Sequence, residues 1–232
     1  MRYRFLLGEL VKKGIKLKYR RSYLGIIWSL LEPLLTMIVL TIVFGTLFGN
    51  KDRTFPVYIL TGRLLYTFYS SATKAALKSV RANSAMIKKV YVPKYIYPLT
   101  RIMSSLINML ISLIPLAAVA LISGLMPNKT YLLLPFPLLC LALFCLGLGM
   151  LLASAMVFFR DIQFLWGVLI TIWTYLTPIF YPVSALPDSV QVIVKMNPLY
   201  FYVTFLRSCV MDGLSPEPIM YVQCALIALV ML

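Results

Sequence analysis

Two charged side chains inside the long apolar runs are the residues of this sequence best placed to bind a ligand. Glu32 lies within the first run, before Pro33, and Arg63 follows Gly62 in the second. A charge is costly in lipid, so each should face a protein interior, a partner or water. An arginine in that position predicts contact with an anionic group such as a phosphate. The alternative is that Arg63 extends along the helix to the outer interface.

Other kinds of chemistry find little support in the residue types. The sequence has no histidine and no GxxxxGK[ST] phosphate loop, which excludes histidine-based triads, histidine metal ligands and ATP hydrolysis through such a loop. Cys140, Cys145, Cys209 and Cys224 show no CxxC spacing and are expected to be buried apolar side chains. The seven Asp and Glu residues are scattered, so they predict no paired-carboxylate site. We expect no enzyme, metal site or cofactor in this chain.

The composition indicates a membrane protein. Of 232 residues, 61% are hydrophobic and 12% are charged, which is too few charges for the surface of a soluble domain. No Asp, Glu, Lys or Arg lies between Arg101 and Lys129, or between Lys129 and Arg160. Such stretches exceed the roughly 18 apolar residues that a bilayer crossing requires. The sequence predicts an all-α, polytopic membrane protein in which residues 1–232 form a single transmembrane domain.

Six apolar runs predict six membrane-spanning helices, the last of them incomplete in this sequence. The expected spans are 22–49, 55–73, 102–125, 131–158, 163–182 and 218–232. With the N-terminus in the cytoplasm, sixteen Lys and Arg fall on the cytoplasmic side and five on the outer side, as the positive-inside rule requires. The basic residues flank the membrane, which favours contact with an anionic leaflet over a nucleic-acid partner.

The N-terminal segment 1–21 mixes basic and apolar residues. It predicts an amphipathic helix in the headgroup region, with a short basic turn leading into the first span. The alternative is a simple positive-inside anchor. The helix, the start of the first span and a charged turn between the fourth and fifth spans are predicted to form a gate and interface element. The residues assigned to it are Tyr19, Arg20, Arg21, Ser22, Trp28, Glu32, Arg160 and Asp161.

The cytoplasmic block 81–98 predicts a docking element for a partner. Its two prolines prevent one continuous helix, and Asn83 or Ser84 could cap a short helix over 85–90. A solvated basic loop would explain the charge of this block but not its apolar side chains. The residues expected to couple to the partner are Asn83, Met86, Ile87, Lys88, Lys89, Tyr91 and Pro93.

Two later interruptions also bear on function. Arg160 and Asp161 form a tight charged turn, which could cap two helix ends, pair with the N-terminal helix, or simply stop the helices at the interface. The proline-rich segment beyond Thr177 contains apolar patches too short to cross a membrane. We expect 183–210 to form re-entrant or interfacial helices on the outer side, broken at Asn197-Pro198. Irregular backbone at membrane depth is tolerated where it lines a cavity, so this region favours a pathway lining.

Aromatic residues cluster in the second and fifth predicted spans. Rings near span ends are normally interface belts, whereas deeper rings could stack on sugar faces along a conduit. Both interpretations stay open from the sequence. The residues assigned to a substrate pathway are Arg63, Tyr58, Tyr66, Tyr69, Trp173, Tyr175, Phe180 and Tyr181.

An ordered set of motifs along nearly the whole chain resembles the ABC-2 type permeases that export polysaccharides, including O-antigen, capsule and teichoic-acid exporters. Each motif is weak by itself, and their order is specific. Arg63 stands where the family pattern leads us to expect an apolar residue. The motifs are Tyr19-Arg20-Arg21-Ser22, Leu24-Gly25, Trp28 and Glu32-Pro33; Asn83, Ile87-Lys88-Lys89, Pro93 and Pro98; Arg160-Asp161; and Thr177-Pro178-Ile179, Tyr181 and Asn197-Pro198.

The resemblance implies one half of a transporter in the bacterial cytoplasmic membrane. Two copies would form the pore as a homodimer, and two copies of a separate cytoplasmic ATPase, carrying the ATP and Mg²⁺, would dock on them. The implied substrate is a lipid-linked glycan. Two other classes stay open: a lipid-linked glycan flippase that needs no ATPase, and a membrane-embedded glycan or lipid transferase. Flippases of this kind usually have more membrane spans, arranged in internal repeats, and a transferase would require a pair of Asp or Glu side chains.

Overall fold

The computed structural model describes residues 4–19, 27–47, 52–88 and 92–232, and its regular structure over these ranges is entirely helical. The all-α prediction is therefore confirmed for this part of the chain. The α-helices are α1 (Arg4–Tyr19), α2 (Ile27–Leu47), α3 (Phe55–Ala82), α4 (Ser84–Ile87), α5 (Ile96–Ile122), α6 (Pro135–Phe158), α7 (Ile162–Leu176), α8 (Asp188–Lys195), α9 (Pro198–Arg207) and α10 (Pro218–Met231). Short 3₁₀ turns cover Lys129–Leu133 and Val183–Ala185, and a π turn covers Ser208–Asp212.

Within the described ranges, three helical segments are long and apolar enough to cross a membrane: Ile27–Leu47, Ile96–Ile122 and Lys129–Phe158. Helices α7 and α10 are apolar but shorter. Helix α3 has 28 residues, about 42 Å at 1.5 Å per residue, but one of its faces is polar. These lengths support a membrane protein, and the total of six spans stays a prediction.

Two helices end at residues other than those expected for the spans, and the positions of helix-breaking residues explain both differences. Helix α3 continues beyond residue 73 to Ala82, because no proline or glycine interrupts it before Asn83. Helix α7 ends at Leu176 rather than near residue 182, because Thr177 precedes a proline and adopts an extended conformation.

Helix α3 lies at the centre of the fold, packed against α2, α5, α6, α7 and α9. The indole N–H of Trp166 donates to the hydroxyl of Thr73 at 3.3 Å, and the Tyr58 hydroxyl donates to the Tyr181 carbonyl at 2.8 Å. Residue numbers thus rise along α3 as they fall along α7 and the segment that follows it. The two helices are antiparallel.

Close helix packing depends on a glycine of α6. A Cβ atom at Gly149 would lie 2.9 Å from the Cβ of Ala76 and 2.9 Å from a methyl carbon of Ile102. Only a residue without a side chain lets α6 approach α3 and α5 this closely.

A second, smaller apolar cluster joins α1, α4 and the start of α5. Partly buried side chains of α1 and α4 pack on three buried residues there. Its members are Val92, Ile96 and Tyr97, with Leu6, Leu10 and Ile87 against them. Helix α1 is therefore held to α4 and to the start of α5 by apolar contacts, which accounts for Ile87 in an otherwise basic block.

Candidate functional site

A groove of about 570 Å³ opens between α2, α3 and α5, with Gly14 of α1 at its edge. Polar side chains from all three helices line it together with apolar ones, among them Leu64, Phe68 and Met109. Helix α2 contributes Ser29, Glu32 and Thr36, which are three and four residues apart and therefore share one face. Pro33 also lines the groove and has no backbone N–H to donate within the helix.

Helix α3 forms the second wall of the groove. Arg63, Thr67 and Ser71 line it at intervals of four residues. Thr67 and Ser71 are exposed in the single chain, and Arg63 is half-buried. Such side chains are unsuited to face lipid, so this wall should face water or protein.

Helix α5 supplies the third wall with a stripe of polar residues that the sequence analysis did not assign. They recur at helical spacing inside an apolar run, which was the signal available to find them. The hydroxyls of Ser104 and Ser112 donate to the carbonyls of Thr100 and Asn108 at 2.8 and 3.0 Å, so their oxygens still have acceptor capacity. The stripe consists of Arg101, Ser104, Ser105, Asn108 and Ser112.

The helix directions place the groove residues along an axis. The side chain of Arg53 donates to the Ile122 carbonyl at 3.2 Å, which brings the start of α3 beside the end of α5. Arg63 and Ser112 therefore lie toward one end of the groove, and Arg101 lies toward the other. Along α5, the eleven-residue step from Arg101 to Ser112 covers about 16 Å.

Among the described residues, three ionisable side chains line the groove: Glu32, Arg63 and Arg101. Glu32 is exposed and both arginines are half-buried. The only ion pair found among the described residues joins Lys12 to Glu9 on α1, so none joins these three. In the part of the chain that the structure describes, the groove carries two cations and one carboxylate, a balance that favours anionic groups.

A different arginine, Arg207 at the end of α9, holds the segment that follows α7 against α3; we call residues 177–213 the outer segment, after the side on which the sequence predicts it. Its Nη2 atom donates to the carbonyls of Tyr58 and Ile179 at 3.1 and 3.3 Å. Its guanidinium carbon lies 3.4 Å from the centroid of the Tyr58 ring, a cation–π contact. A Cβ atom at Gly62 would lie 2.9 Å from that Nη2 atom. We call Tyr58, Gly62, Ile179 and Arg207 the outer clamp, after the side of the membrane on which the sequence predicts them.

Asn197 connects the end of α7 to the start of α9. Its Oδ1 atom accepts from the indole N–H of Trp173 at 2.9 Å and from the backbone N–H of Leu199 at 3.0 Å. Its Nδ2 atom donates to the hydroxyl of Thr177 at 2.9 Å. The Asn-Pro break therefore caps α9 and anchors it to α7.

Most of the aromatic residues predicted for a substrate pathway are engaged in packing. The Tyr66 hydroxyl donates to the Ile170 carbonyl and accepts from Thr174. Tyr69 is 2% exposed, and its ring packs near Trp166.

Toward the outer end, Phe180 stacks on Phe44 with ring centroids 4.9 Å apart. Tyr175 is 69% exposed, and the Tyr181 hydroxyl donates to its carbonyl. Trp173 is half-buried against Asn197. Of the residues assigned to the pathway, Arg63 lines the groove as described. A conduit role for the rings stays a prediction.

The coupling residues lie around α4. The Asn83 side chain donates to the Ser79 carbonyl at 2.7 Å and makes no cap to α4, although it occupies the N-cap position. Met86 and Lys88 are exposed, and Pro93 is half-buried. Two coupling residues, Lys89 and Tyr91, lie outside the described residues.

Several of the predicted gate and interface residues can be placed. Trp28 is 49% exposed at the start of α2. Arg160 and Asp161 form the expected turn between α6 and α7; both are exposed, and the Asp161 side chain makes no cap hydrogen bond. Tyr19 ends α1. Arg20, Arg21 and Ser22 lie outside the described ranges.

Comparison with known proteins gives a consistent result over most of the chain. A family model described as ABC-2 type transporter matches residues 6–211, which include the groove and the outer clamp. The O-antigen export system permease protein RfbA of Myxococcus xanthus is 28% identical over 94% of this chain and 85% of its own length. A protein of the same name from Klebsiella pneumoniae is 26% identical over 90% of this chain and 81% of its own length. The capsule polysaccharide export inner-membrane protein CtrC of Neisseria meningitidis is 27% identical over 84% and 75%.

Proposed function

The chain belongs to the ABC-2 type transporter family, and from that premise we propose that it is the membrane-spanning permease subunit of an ATP-driven exporter of a polysaccharide. The observation that carries the proposal is the polar groove between α2, α3 and α5. The relatives named for O-antigen and capsule export support a polysaccharide as the cargo. The resemblance of the motifs extends this to a glycan linked to a lipid.

The groove suits a polysaccharide because of its hydroxyl and amide lining. Ser105, Asn108 and Ser112 lie on one face of an otherwise apolar helix, where lipid could not satisfy their hydrogen bonds. A sugar chain presents hydroxyl groups that both donate and accept. Two copies of the chain with their grooves facing each other would enclose a polar conduit, and this is the role we assign to a homodimer.

The energy source is proposed to be a separate pair of cytoplasmic ATPase subunits. Helix α4 is the docking element, with Met86 exposed on it and Lys88 exposed directly after it. Because Ile87 packs in the same apolar cluster as Leu6 and Leu10, a push on α4 would reach α1 and the start of α5. Helix α5 carries one wall of the groove, so this route connects ATPase movement to the conduit. ATP and Mg²⁺ would bind to the ATPase, and the N-terminus would lie in the cytoplasm.

The test is reconstitution of the purified permease with its ATPase subunit in proteoliposomes. Lys88→Glu and Lys89→Glu should abolish co-purification of the ATPase and the stimulation of ATP hydrolysis by the permease. Lys129→Glu is the matched control, because it reverses the same charge at an exposed residue on the predicted outer side. We expect this control to behave as the unmodified protein.

Transport is measured in the same vesicles as ATP-dependent movement of a lipid-linked glycan to the opposite leaflet. Movement should stop when ATP or the ATPase is omitted. Glycan movement by the permease alone would contradict the proposal and identify an ATPase-independent flippase. Transfer of the glycan to another acceptor would identify a transferase.

A further inference from the structure

We propose that Arg63 forms an oxyanion-binding subsite inside the groove, which selects a molecule carrying a carboxylate or phosphate group. The inference rests on the proposed function, because it assigns a substrate class to the groove of an export permease. It concerns one side chain of α3 and the polar walls around it. The shared chemistry is the oxyanion, whether it belongs to an acidic sugar or to the phosphate of a lipid carrier.

The Arg63 guanidinium is available to bind an oxyanion. Arg63 is half-buried and lines the groove. Among the residues whose placement is described, no hydrogen bond or ion pair engages its guanidinium. A guanidinium has five N–H donors arranged in a planar fork, which matches two oxygens of a carboxylate or phosphate. An arginine that lines a groove of a membrane protein, with no hydrogen bond or ion pair to the described residues, is available to bind a ligand.

The surroundings of Arg63 provide further polar groups for an oxyanion. Thr67 lies one turn farther along the same wall, and Ser112 lies toward the same end of the facing helix. Their hydroxyls provide further hydrogen-bonding positions around a bound oxyanion. Glu32, the single carboxylate of the groove, is on the opposite wall formed by α2. The subsite is therefore cationic on the α3 side.

Positive charge continues along α3 beyond Arg63. Lys74 and Lys78 follow Arg63 by eleven and fifteen residues, within about 60° of its direction on the helix, and both are exposed. Arg101 adds a cation at the other end of the groove. A row of like charges raises the local concentration of an anionic substrate and repels cations. The row leads from the predicted cytoplasmic end of α3 to Arg63.

The experiment measures binding directly on the purified full-length protein in neutral detergent. Thermal unfolding and equilibrium binding are followed with four probes: sodium pyrophosphate, farnesyl pyrophosphate, galacturonate oligomers and neutral dextran oligomers. We expect at least one oxyanion probe to raise the unfolding temperature and dextran to have no such effect. The variants are Arg63→Gln and Arg63→Lys, with Lys129→Gln as a control that loses one exposed positive charge outside the groove.

The result expected for Arg63→Gln is at least a tenfold weaker Kd for the oxyanion probe, with no change in Lys129→Gln. Arg63→Lys should bind with intermediate affinity, because lysine keeps the charge but loses the planar fork. Stabilisation by the pyrophosphates alone would identify the lipid carrier as the source of the oxyanion. Stabilisation by galacturonate alone would identify acidic sugars. Absence of binding by every oxyanion probe, or equal binding by Arg63→Gln, would overturn the proposal.

Two features keep the test decisive. If Arg63→Gln fails to fold, as judged by elution volume and unfolding temperature without probe, Arg63→Lys decides, and an unchanged Kd counts against the proposal. The binding measurement needs neither the ATPase nor export. If the protein exports glycan but binds no oxyanion, only the proposal of the Arg63 subsite is contradicted. If it binds the oxyanion but exports nothing, only the proposed export function is contradicted.

Discussion

The groove and the outer clamp each contain an arginine near Gly62, and the two arginines differ in what surrounds them. Arg63 is the next residue in the chain and lines an open polar groove. Arg207 comes from α9, and its Nη2 atom would lie 2.9 Å from a Cβ at Gly62. It donates to two carbonyls and covers the ring of Tyr58.

The difference separates a structural cation from a cation that is available for binding. The hydrogen bonds of Arg207 join α3 to the segment after α7, so its removal would leave buried carbonyls without their donor. Arg63 makes no such bond to the described residues, so its removal costs the fold little. A basic residue in a membrane protein is therefore assigned by its partners and not by its charge alone.

The largest effect is expected at Asn197, on the clamp side of this comparison. Asn197→Leu removes an acceptor for the N–H groups of Trp173 and Leu199 and a donor to Thr177. We expect a loss of stability of about 3 kcal/mol, since each unsatisfied buried group costs roughly 1–3 kcal/mol. Thermal unfolding of the purified protein measures it. Gln191→Leu, which removes one hydrogen bond to Leu186, is the control and should lower the unfolding temperature much less.

Arg207→Met should follow, with a loss of stability of about 2 kcal/mol, because two carbonyls and an aromatic ring lose their cation. The methionine keeps much of the apolar volume, so packing alone should change little. The measurement is again thermal unfolding. An unfolding temperature equal to that of the original protein would show that the clamp does not stabilise the outer segment.

Arg63→Gln is expected to give the opposite pattern. Stability should stay within about 0.5 kcal/mol of the original protein, as for surface substitutions. Export of the glycan should fall about tenfold, which corresponds to roughly 1.4 kcal/mol. The readouts are thermal unfolding and glycan movement in proteoliposomes. A variant that unfolds early and exports normally would reverse the assignment of the two arginines.

Gly62→Ala tests the contact that the two regions share. The added Cβ would lie 3.2 Å from the Cα of Ile179, which is backbone and has little freedom to move. We expect a loss of about 1 kcal/mol from this local overpacking. Gly167→Ala is the matched control on α7, because nothing lies within 4 Å of a Cβ there. Equal unfolding temperatures for the two variants would argue against tight packing at the clamp.

The smallest effect is expected from Ser112→Val, a change of similar size in the wall of the groove. It removes a hydroxyl that the conduit offers to sugar groups, so export should fall two- to threefold, equivalent to about 0.5 kcal/mol. Ser189→Val, at an exposed position of α8 outside the groove, is the control for the substitution itself. An export rate unchanged by Ser112→Val would indicate that the sugar chain does not touch this wall.

Several elements of this fold were predictable because their signals are local. The turn at Arg160-Asp161 and the break at Asn197-Pro198 follow from charge and proline, and both are found. Glu32 and Arg63 stood out because charges are rare in apolar runs, and both line the groove. Local rules sufficed where a single residue determines the backbone or carries an unusual cost.

The rest depended on tertiary contacts. The sequence assigns no role to Arg207, because nothing local indicates that Tyr58 and Ile179 will surround it. The serines of α5 barely lower the hydropathy of the run, so only their spacing marked the third wall. Tyr66 and Tyr69 both lie in α3, one of the helices expected to line a substrate pathway. Which neighbours their rings contact depends on how α3 packs against α6 and α7.

Gly62 and Arg63 are consecutive residues of α3, so a displacement of one backbone unit is passed to the other. If binding at Arg63 displaces Gly62 toward the outer segment, it meets tight packing, because a Cβ at Gly62 would lie 2.9 Å from the Arg207 Nη2 atom and 3.2 Å from the Ile179 Cα. Binding in the groove and release of the clamp then favour each other by the same factor. On this basis, a clamp variant such as Arg207→Met would bind the oxyanion more tightly than the original protein, although it has no contact with the groove.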